Sequence, residues 1–294
     1  MTCRIEPDVK PDGNRSCVIV EKREIAPKVT RYVVRAPVIA RARRAGQFVI
    51  VRVREDGERI PLTIADADPD AGTITLVVQE VGKTTALMAS LVEGDALSDV
   101  VGPLGSPTHI ERVGTVVCVG GGIGIAPVYP IAQAMRAAGN RVIAILGART
   151  KDLLIMQEEM RRACDEVLVC TDDGSFGRKG LVTDVLADCI AGPNRPDLVV
   201  AIGPPIMMKF VCRTTAPHGI PTLVSLNSVM VDGTGMCGGC RVTVGGETKF
   251  VCVDGPEFDG SKVDFDEMMR RQAFYHEQEK ASHERLISEK EGPQ

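Results

Sequence analysis

The chain has 294 residues and a formal net charge of -4 at pH 7, with 44% hydrophobic and 25% charged residues. That suits two globular domains with an appendage and excludes a typical phosphate-backbone binder, which needs a basic face. With no tryptophan and only 3% aromatic residues, it offers no platform for stacking bases.

The N-terminal stretch is charged and Pro-containing, without the apolar core of a secretory signal. The most apolar run, Val116 to Ala132, is interrupted by glycines and prolines and does not read as a membrane helix. A cytoplasmic protein that binds neither nucleic acid nor membrane is expected. Ten cysteines in a long chain without a signal read as reduced thiols. Cys3, Cys17, Cys118, Cys164, Cys170, Cys189 and Cys212 are scattered, most beside apolar residues, where free cysteine acts as a small hydrophobe. Cys237, Cys240 and Cys252 cluster, and they stand apart from the rest.

From about Ser16 to Thr108, short β-branched runs alternate with turn residues. Cys17–Glu21, Thr30–Ala36, Gln47–Arg54 and Thr73–Gln79 predict strands, and Lys83–Leu91 a helix. Strands with so few helices suggest a small antiparallel barrel or sandwich. From Gly114 to Leu226 the pattern becomes strand–helix alternation. Strands are predicted at Thr115–Val119, Arg141–Leu146, Glu166–Cys170, Leu198–Ile202 and Pro221–Ser225. Helices are predicted at Val128–Ala138, Leu153–Ala163, Leu181–Ile190 and Ile206–Ala216. Such alternation implies a parallel sheet covered by helices. A Gly- and Cys-rich segment follows, then a charged terminal helix from Asp264, expected to dock at its start and fray at its end. The expected domains are 16–110, 111–226 and 227–262, with a tail at 263–294.

Three loops fall at the carboxyl ends of the parallel strands, where open α/β sheets bind ligands. Gly120-Gly121-Gly122-Ile123-Gly124 joins a strand to a helix start, which supplies unpaired N–H groups for a pyrophosphate. Its spacing is not the standard dinucleotide fingerprint, and a ligand-free tight turn is the alternative. Asp172 and Asp173, and Gly203 and Pro204, occupy the other two loops. Arg149, after the second strand, can accept a 2′-phosphate. In the first domain, the Thr63 hydroxyl can bond a flavin ring nitrogen, and Gly82, Lys83, Thr84 and Thr85 open a helix that can hold a pyrophosphate. A hairpin followed by a capped helix explains that segment equally well.

Asp232-x4-Cys237-x2-Cys240-x11-Cys252 matches the plant-type [2Fe–2S] spacing with a carboxylate in place of the first thiolate. The glycines around it suit bare N–H groups aimed at sulfur. A structural zinc and a reactive Cys-x-x-Cys pair are the competing readings. Asp254 and Cys212 are weaker candidates than Asp232 for the fourth ligand.

Barrel, dinucleotide domain and C-terminal cluster, in that order, resemble the ferredoxin reductase superfamily. Within it the chain is similar to the electron-transfer subunits of class 1B dihydroorotate dehydrogenase. It is more similar to the small subunits of NADH-dependent reduced ferredoxin:NADP oxidoreductase. The residues carrying this are Gly46-Gln47-Phe48, Arg59-Ile60-Pro61-Leu62-Thr63, Val81 to Thr85, Gly102-Pro103-Leu104-Gly105, Gly120 to Gly124, Thr171 to Ser175 and Met236 to Cys240. The resemblance implies FAD in the barrel, NAD(H) at the second domain, a [2Fe–2S] cluster and a larger flavo-iron–sulfur partner in a heterodimer. It places Pro61, Leu62 and Thr63 along the flavin ring and Thr84 and Thr85 at its pyrophosphate. The flavin motif's arginine falls at Ile60, so Arg59 is one position early. Asp232, where dihydroorotate-type subunits carry cysteine, favours the ferredoxin:NADP type, which bifurcates electrons. A zinc-stabilised scaffold without turnover is the non-enzyme alternative.

Overall fold

The computed structural model describes residues 17–193 and 195–291; Cys3 and the charged N-terminal stretch lie outside them. The first part of the chain forms β1 (Ile19–Ala26), β2 (Val29–Arg35), α1 (Pro37–Ala42), β3 (Phe48–Arg52), β4 (Arg59–Asp68), β5 (Thr73–Gln79), α2 (Lys83–Ser90) and β6 (Asp99–Leu104). The six strands make one antiparallel sheet in the order β1-β2-β5-β4-β3-β6. Two of them, β4 and β6, are not predicted from the sequence. Proline and charge interrupt the alternation that marks a strand, but the ladder to β3 forms regardless.

Next come β7 (Thr115–Gly121), α3 (Ile125–Ala137), β8 (Arg141–Ala148), α4 (Gln157–Ala163), β9 (Glu166–Thr171), β10 (Arg178–Lys179), α5 (Val182–Ala191), β11 (Leu198–Ile202), α6 (Pro205–Thr215) and β12 (Thr222–Ser225). The strands run in parallel in the order β10-β9-β8-β7-β11-β12. Val116 to Val119 and Val142 to Leu146 are buried throughout, the near-continuous apolar pattern of strands covered on both faces. The mixture of an antiparallel sheet and a helix-covered parallel sheet agrees with the sequence expectation.

The remaining elements are β13 (Arg241–Val244), β14 (Glu247–Phe250), α7 (Val251–Asp254), β15 (Glu257–Asp259), α8 (Phe265–Ala273) and α9 (His276–Glu291). β13 and β14 form a hairpin across Gly245-Gly246, both at positive φ, the conformation that a two-residue type I′ turn requires. β15 pairs antiparallel with β12 and so extends the parallel sheet.

The expected single terminal helix is two. Asp264 caps α8 by accepting the Glu267 N–H at 2.8 Å, and Phe265 and Met268 enter the core beneath the parallel sheet. α9 lies against α2, and Leu286, 8% exposed, packs into the core of the antiparallel sheet. The expected fraying therefore does not occur at that point, because one leucine on a polar helix finds an apolar seat. No helix among the described residues is long and apolar enough to cross a membrane.

Leu286→Ala should cost about 2 kcal/mol or more, the usual penalty for emptying a buried leucine site. Denaturant unfolding checks this. Early proteolysis within α9 should accompany the loss.

Candidate functional site

Phe48 to Val51 of β3 are buried, and the side chains of the strand alternate. Phe48 and Ile50 point into the core shared with the Cys-rich segment, while Val49 and Val51 point into the core of the antiparallel sheet. Directly opposed residues of an antiparallel pair share a face. Arg59, Pro61 and Thr63 oppose Arg52, Ile50 and Phe48, so they lie on the face turned toward the cysteines. Leu62 opposes Val49 and packs with the sheet's own core instead. Nε of Arg59 is buried without a hydrogen-bond partner, a donor that a bound anion or carbonyl would satisfy.

At the start of α2 the hydroxyls are already engaged. Thr85 Oγ1 accepts the Val81 and Gly82 N–H groups at 2.9 and 3.0 Å, and Thr84 donates to Glu58 at 2.8 Å. Lys83 reaches the same carboxylate at 3.9 Å. What this turn leaves for a pyrophosphate is the backbone N–H groups of the first helical turn.

The hairpin gathers the cysteines. Its register sets Arg241 against Phe250, so Cys240, just before β13, meets Cys252, just after β14. Their sulfurs are 3.3 Å apart, and the Cys252 N–H points at Cys240 Sγ at 3.4 Å. Both are buried, whereas Cys237 is exposed. Asp232 forms a second pair with Cys237. Its Oδ2 accepts the Cys237 N–H at 2.7 Å and its Oδ1 the Thr234 N–H at 2.9 Å. The hydrogen bonds from Thr234 and then Cys237 hold the Asp232 carboxyl below its ordinary value. Burial, with the Cys240 thiol beside it, pushes the Cys252 thiol up. Among the described residues, no three His, Cys, Asp or Glu side chains gather about one point fit for a single ion. Asp232 with Cys237 and Cys240 with Cys252 thus form two separate pairs. Asp254 accepts the Phe250 N–H, and Cys212 lies on α6; neither is engaged with these pairs.

The cysteine loop also touches the antiparallel sheet. A Cβ at Gly233, where φ is +76°, would lie 2.7 Å from Leu104 Cδ1 and 2.8 Å from Ile50 Cγ1. Glycine at this position therefore lets the loop settle on β3 and β6, directly beside Asp232.

In the parallel sheet, the loops after β7 and β11 flank the point where the strand order reverses. They are in contact, since a Cβ at Gly124 would fall 2.1 Å from Ile202 O. Close packing thus accounts for Gly124. Gly122 has φ of +55° with open space around it. Asp173 is spent locally on the Ser175 N–H and hydroxyl at 2.9 and 2.7 Å; those bonds lower its carboxyl. Asp172 is joined to β8 through its N–H, which donates to Ala148 O at 3.1 Å. Arg149 is exposed at the same edge.

One titratable group was not expected from sequence. Glu257 on β15 accepts the Thr108 hydroxyl at 2.7 Å, where the antiparallel sheet joins the parallel one. Burial pushes its carboxyl up to about 7, against the Thr108 bond that lowers it.

Residues 118–213 match the family described as the oxidoreductase NAD-binding domain, and residues 227–264 match the iron-sulfur cluster binding domain of dihydroorotate dehydrogenase B. A Thermotoga maritima protein, the dihydroorotate dehydrogenase B (NAD(+)) electron transfer subunit homolog, is 53% identical over 92% of this chain and 95% of its own length. A solved chain of an NADH-dependent reduced ferredoxin-NADP oxidoreductase, a study of flavin-based electron bifurcation, superposes with TM-score 0.88. It is 51% identical, covering 93% of this chain and 98% of that one. An Amycolatopsis cytochrome P450 reductase shares the fold, with TM-score 0.60 and 22% identity over 70% of this chain and 66% of its own. The chain belongs to the family of dihydroorotate dehydrogenase B electron-transfer subunits and their homologues.

Glu257 tests the junction. The folded carboxyl keeps its proton up to about pH 7, whereas an unfolded glutamate loses it near its ordinary value of about 4.3. The native state then binds more protons between these values, and stability falls as pH rises through that window. Glu257→Gln should remove this slope, and it should gain about 2 kcal/mol on wild type between pH 5 and pH 8. Denaturant midpoints at the two pH values measure it.

Proposed function

We propose that this chain is the electron-transfer subunit of a bifurcating NADH-dependent reduced ferredoxin:NADP oxidoreductase. It passes electrons between NAD(H), FAD and a [2Fe–2S] cluster and a larger flavo-iron–sulfur partner. The observation that carries this reading is the seat of the cysteine loop on β3 and β6. It sets the Asp232–Cys237 and Cys240–Cys252 pairs against the face of the sheet that bears Arg59, Pro61 and Thr63. When bound, FAD supplies hydride chemistry toward nicotinamide and one-electron chemistry toward the cluster.

In this reading Asp232, Cys237, Cys240 and Cys252 hold the cluster, and the N–H groups of Gly239 and Cys252, at 3.5 and 3.4 Å from sulfur, offset its charge. The unpartnered Arg59 Nε fits a flavin oxygen or phosphate, and Thr63 and the first turn of α2 complete the flavin site with Gly82, Lys83, Thr84 and Thr85. A bridge between Val18 and Ala96 supports closure of the antiparallel sheet into the barrel of residues 16–110. Gly120 to Gly124, Gly203 and Pro204 receive the NAD(H) pyrophosphate at the edge of the domain 111–226, with Arg149, Asp172 and Asp173 beside the adenosine. Residues 227–262 form the cluster module and 263–294 the tail. Val231, Met236 and Val253 are exposed apolar side chains around the ligands, suited to burial against the partner. The complex works in the cytoplasm.

Purification of the chain with whatever binds it, followed by metal and flavin analysis, should give about two iron and one FAD in this subunit, and NADH should outperform NADPH in dye reduction. Zinc without flavin overturns the reading. A partner carrying an FMN barrel and no further iron–sulfur clusters assigns the subunit to dihydroorotate oxidation instead. Asp232→Cys should keep a cluster with an altered electron paramagnetic resonance spectrum; an unaltered spectrum means that Asp232 is not a ligand. Arg59→Ala should weaken FAD binding about tenfold or more, the scale of a charged hydrogen bond, as read from released flavin fluorescence.

A further inference from the structure

The turn between Cys237 and Cys240 has two carbonyls, and each meets its own guanidinium. Arg241 Nη1 donates to Gly238 O at 3.0 Å, and Arg271 Nη2 donates to Gly239 O at 3.5 Å. The two arginines come from different elements: Arg241 opens β13 and Arg271 lies in the last turn of α8. α8 is fixed where this contact needs it. Phe265 and Met268 anchor it in the core, Lys209 pairs with Asp266 at 2.6 Å, and Gln272 donates to Asn227 O at 2.8 Å.

Glu267, one turn before Arg271, accepts the Thr243 N–H at 3.2 Å, and Asp254 accepts the Phe250 N–H. No ion pair among the described residues involves Arg241 or Arg271. Two positive charges thus rest on the backbone between two of the cysteines.

We propose that Arg241 and Arg271 are positioning residues for electron transfer, holding positive charge against the cluster turn and raising the reduction potential of the [2Fe–2S] centre. The inference rests on the cluster reading above. Each electron taken from the flavin side adds one negative charge to the centre, with no bond made or broken. Cluster potentials respond to net charge, hydrogen bonding and solvent exposure, and a fixed cation on the turn between two ligands favours the more negative state. Arg271 is partly buried and Arg241 exposed, so salt screens Arg241 more strongly. Arg271 carries the larger share.

The test is a redox titration of the co-purified holoprotein, followed by electron paramagnetic resonance, with iron counted in every variant. Arg271→Gln should shift the reduced-to-oxidised ratio at fixed potential about tenfold toward oxidised, which is about 59 mV for a one-electron couple. Arg271→Lys, which keeps the charge, should stay close to wild type. Arg241→Gln should shift the ratio about threefold at low salt and very little at high salt. Lysine as damaging as glutamine, or an unmoved midpoint in the Arg241→Gln/Arg271→Gln double variant, overturns the proposal. If Arg271→Gln loses iron, Arg241→Gln decides: an unmoved midpoint at low salt overturns it. Wild-type protein with zinc and no signal on reduction refutes the cluster reading itself; a normal signal with unmoved midpoints refutes only the role of the arginines.

Discussion

The architecture depends on one strand that serves two cores. β3 offers Val49 and Val51 to the antiparallel sheet and Phe48 and Ile50 to the core beneath the parallel sheet and the cysteine hairpin. A strand can do this because its side chains alternate strictly, and a slip of one residue would exchange the two sets. The ladder to β4 transmits the choice, so Arg59, Pro61 and Thr63 come to lie on the face that the cysteine loop approaches. The geometry of the proposed flavin-to-cluster path is therefore set by side-chain parity in β3, together with the missing side chain at Gly233. Tight cores on both sides hold that parity in place.

The parts of the fold visible in the sequence are those with a period. Thr73–Gln79 and Leu198–Ile202 match their predicted strands residue for residue, because runs of β-branched and aliphatic residues leave no other reading. β4 escaped because Arg59-Ile60-Pro61 begins it with a charge and a proline. β15 escaped because it is three residues long and exists only through pairing with β12. α4 begins at Gln157, later than expected, since Leu154 and Ile155 are buried by tertiary packing outside the helix.

The site was legible to the extent that spacing encodes it. The gap of eleven residues between Cys240 and Cys252 reads as a number in the sequence; in the structure it is a hairpin with a Gly-Gly turn returning the chain to its start. The contact of Arg271 with the turn was invisible, because Arg271 arrives from a helix more than thirty residues downstream. Thr108 and Glu257 were invisible for the same reason, being 149 residues apart in the chain. Local chemistry is written in the sequence, whereas long-range polar contacts are set by the fold.

α9 has a further bearing on how the protein is made. Leu286 packs into a core otherwise built from residues between Ile19 and Val100. Domains tend to fold in order of synthesis, N-terminal first. The antiparallel sheet leaves the ribosome long before the helix that covers it, and must hold an apolar seat open while the parallel sheet and the cysteine hairpin are completed. A nascent chain at that stage exposes a surface that α9 later covers.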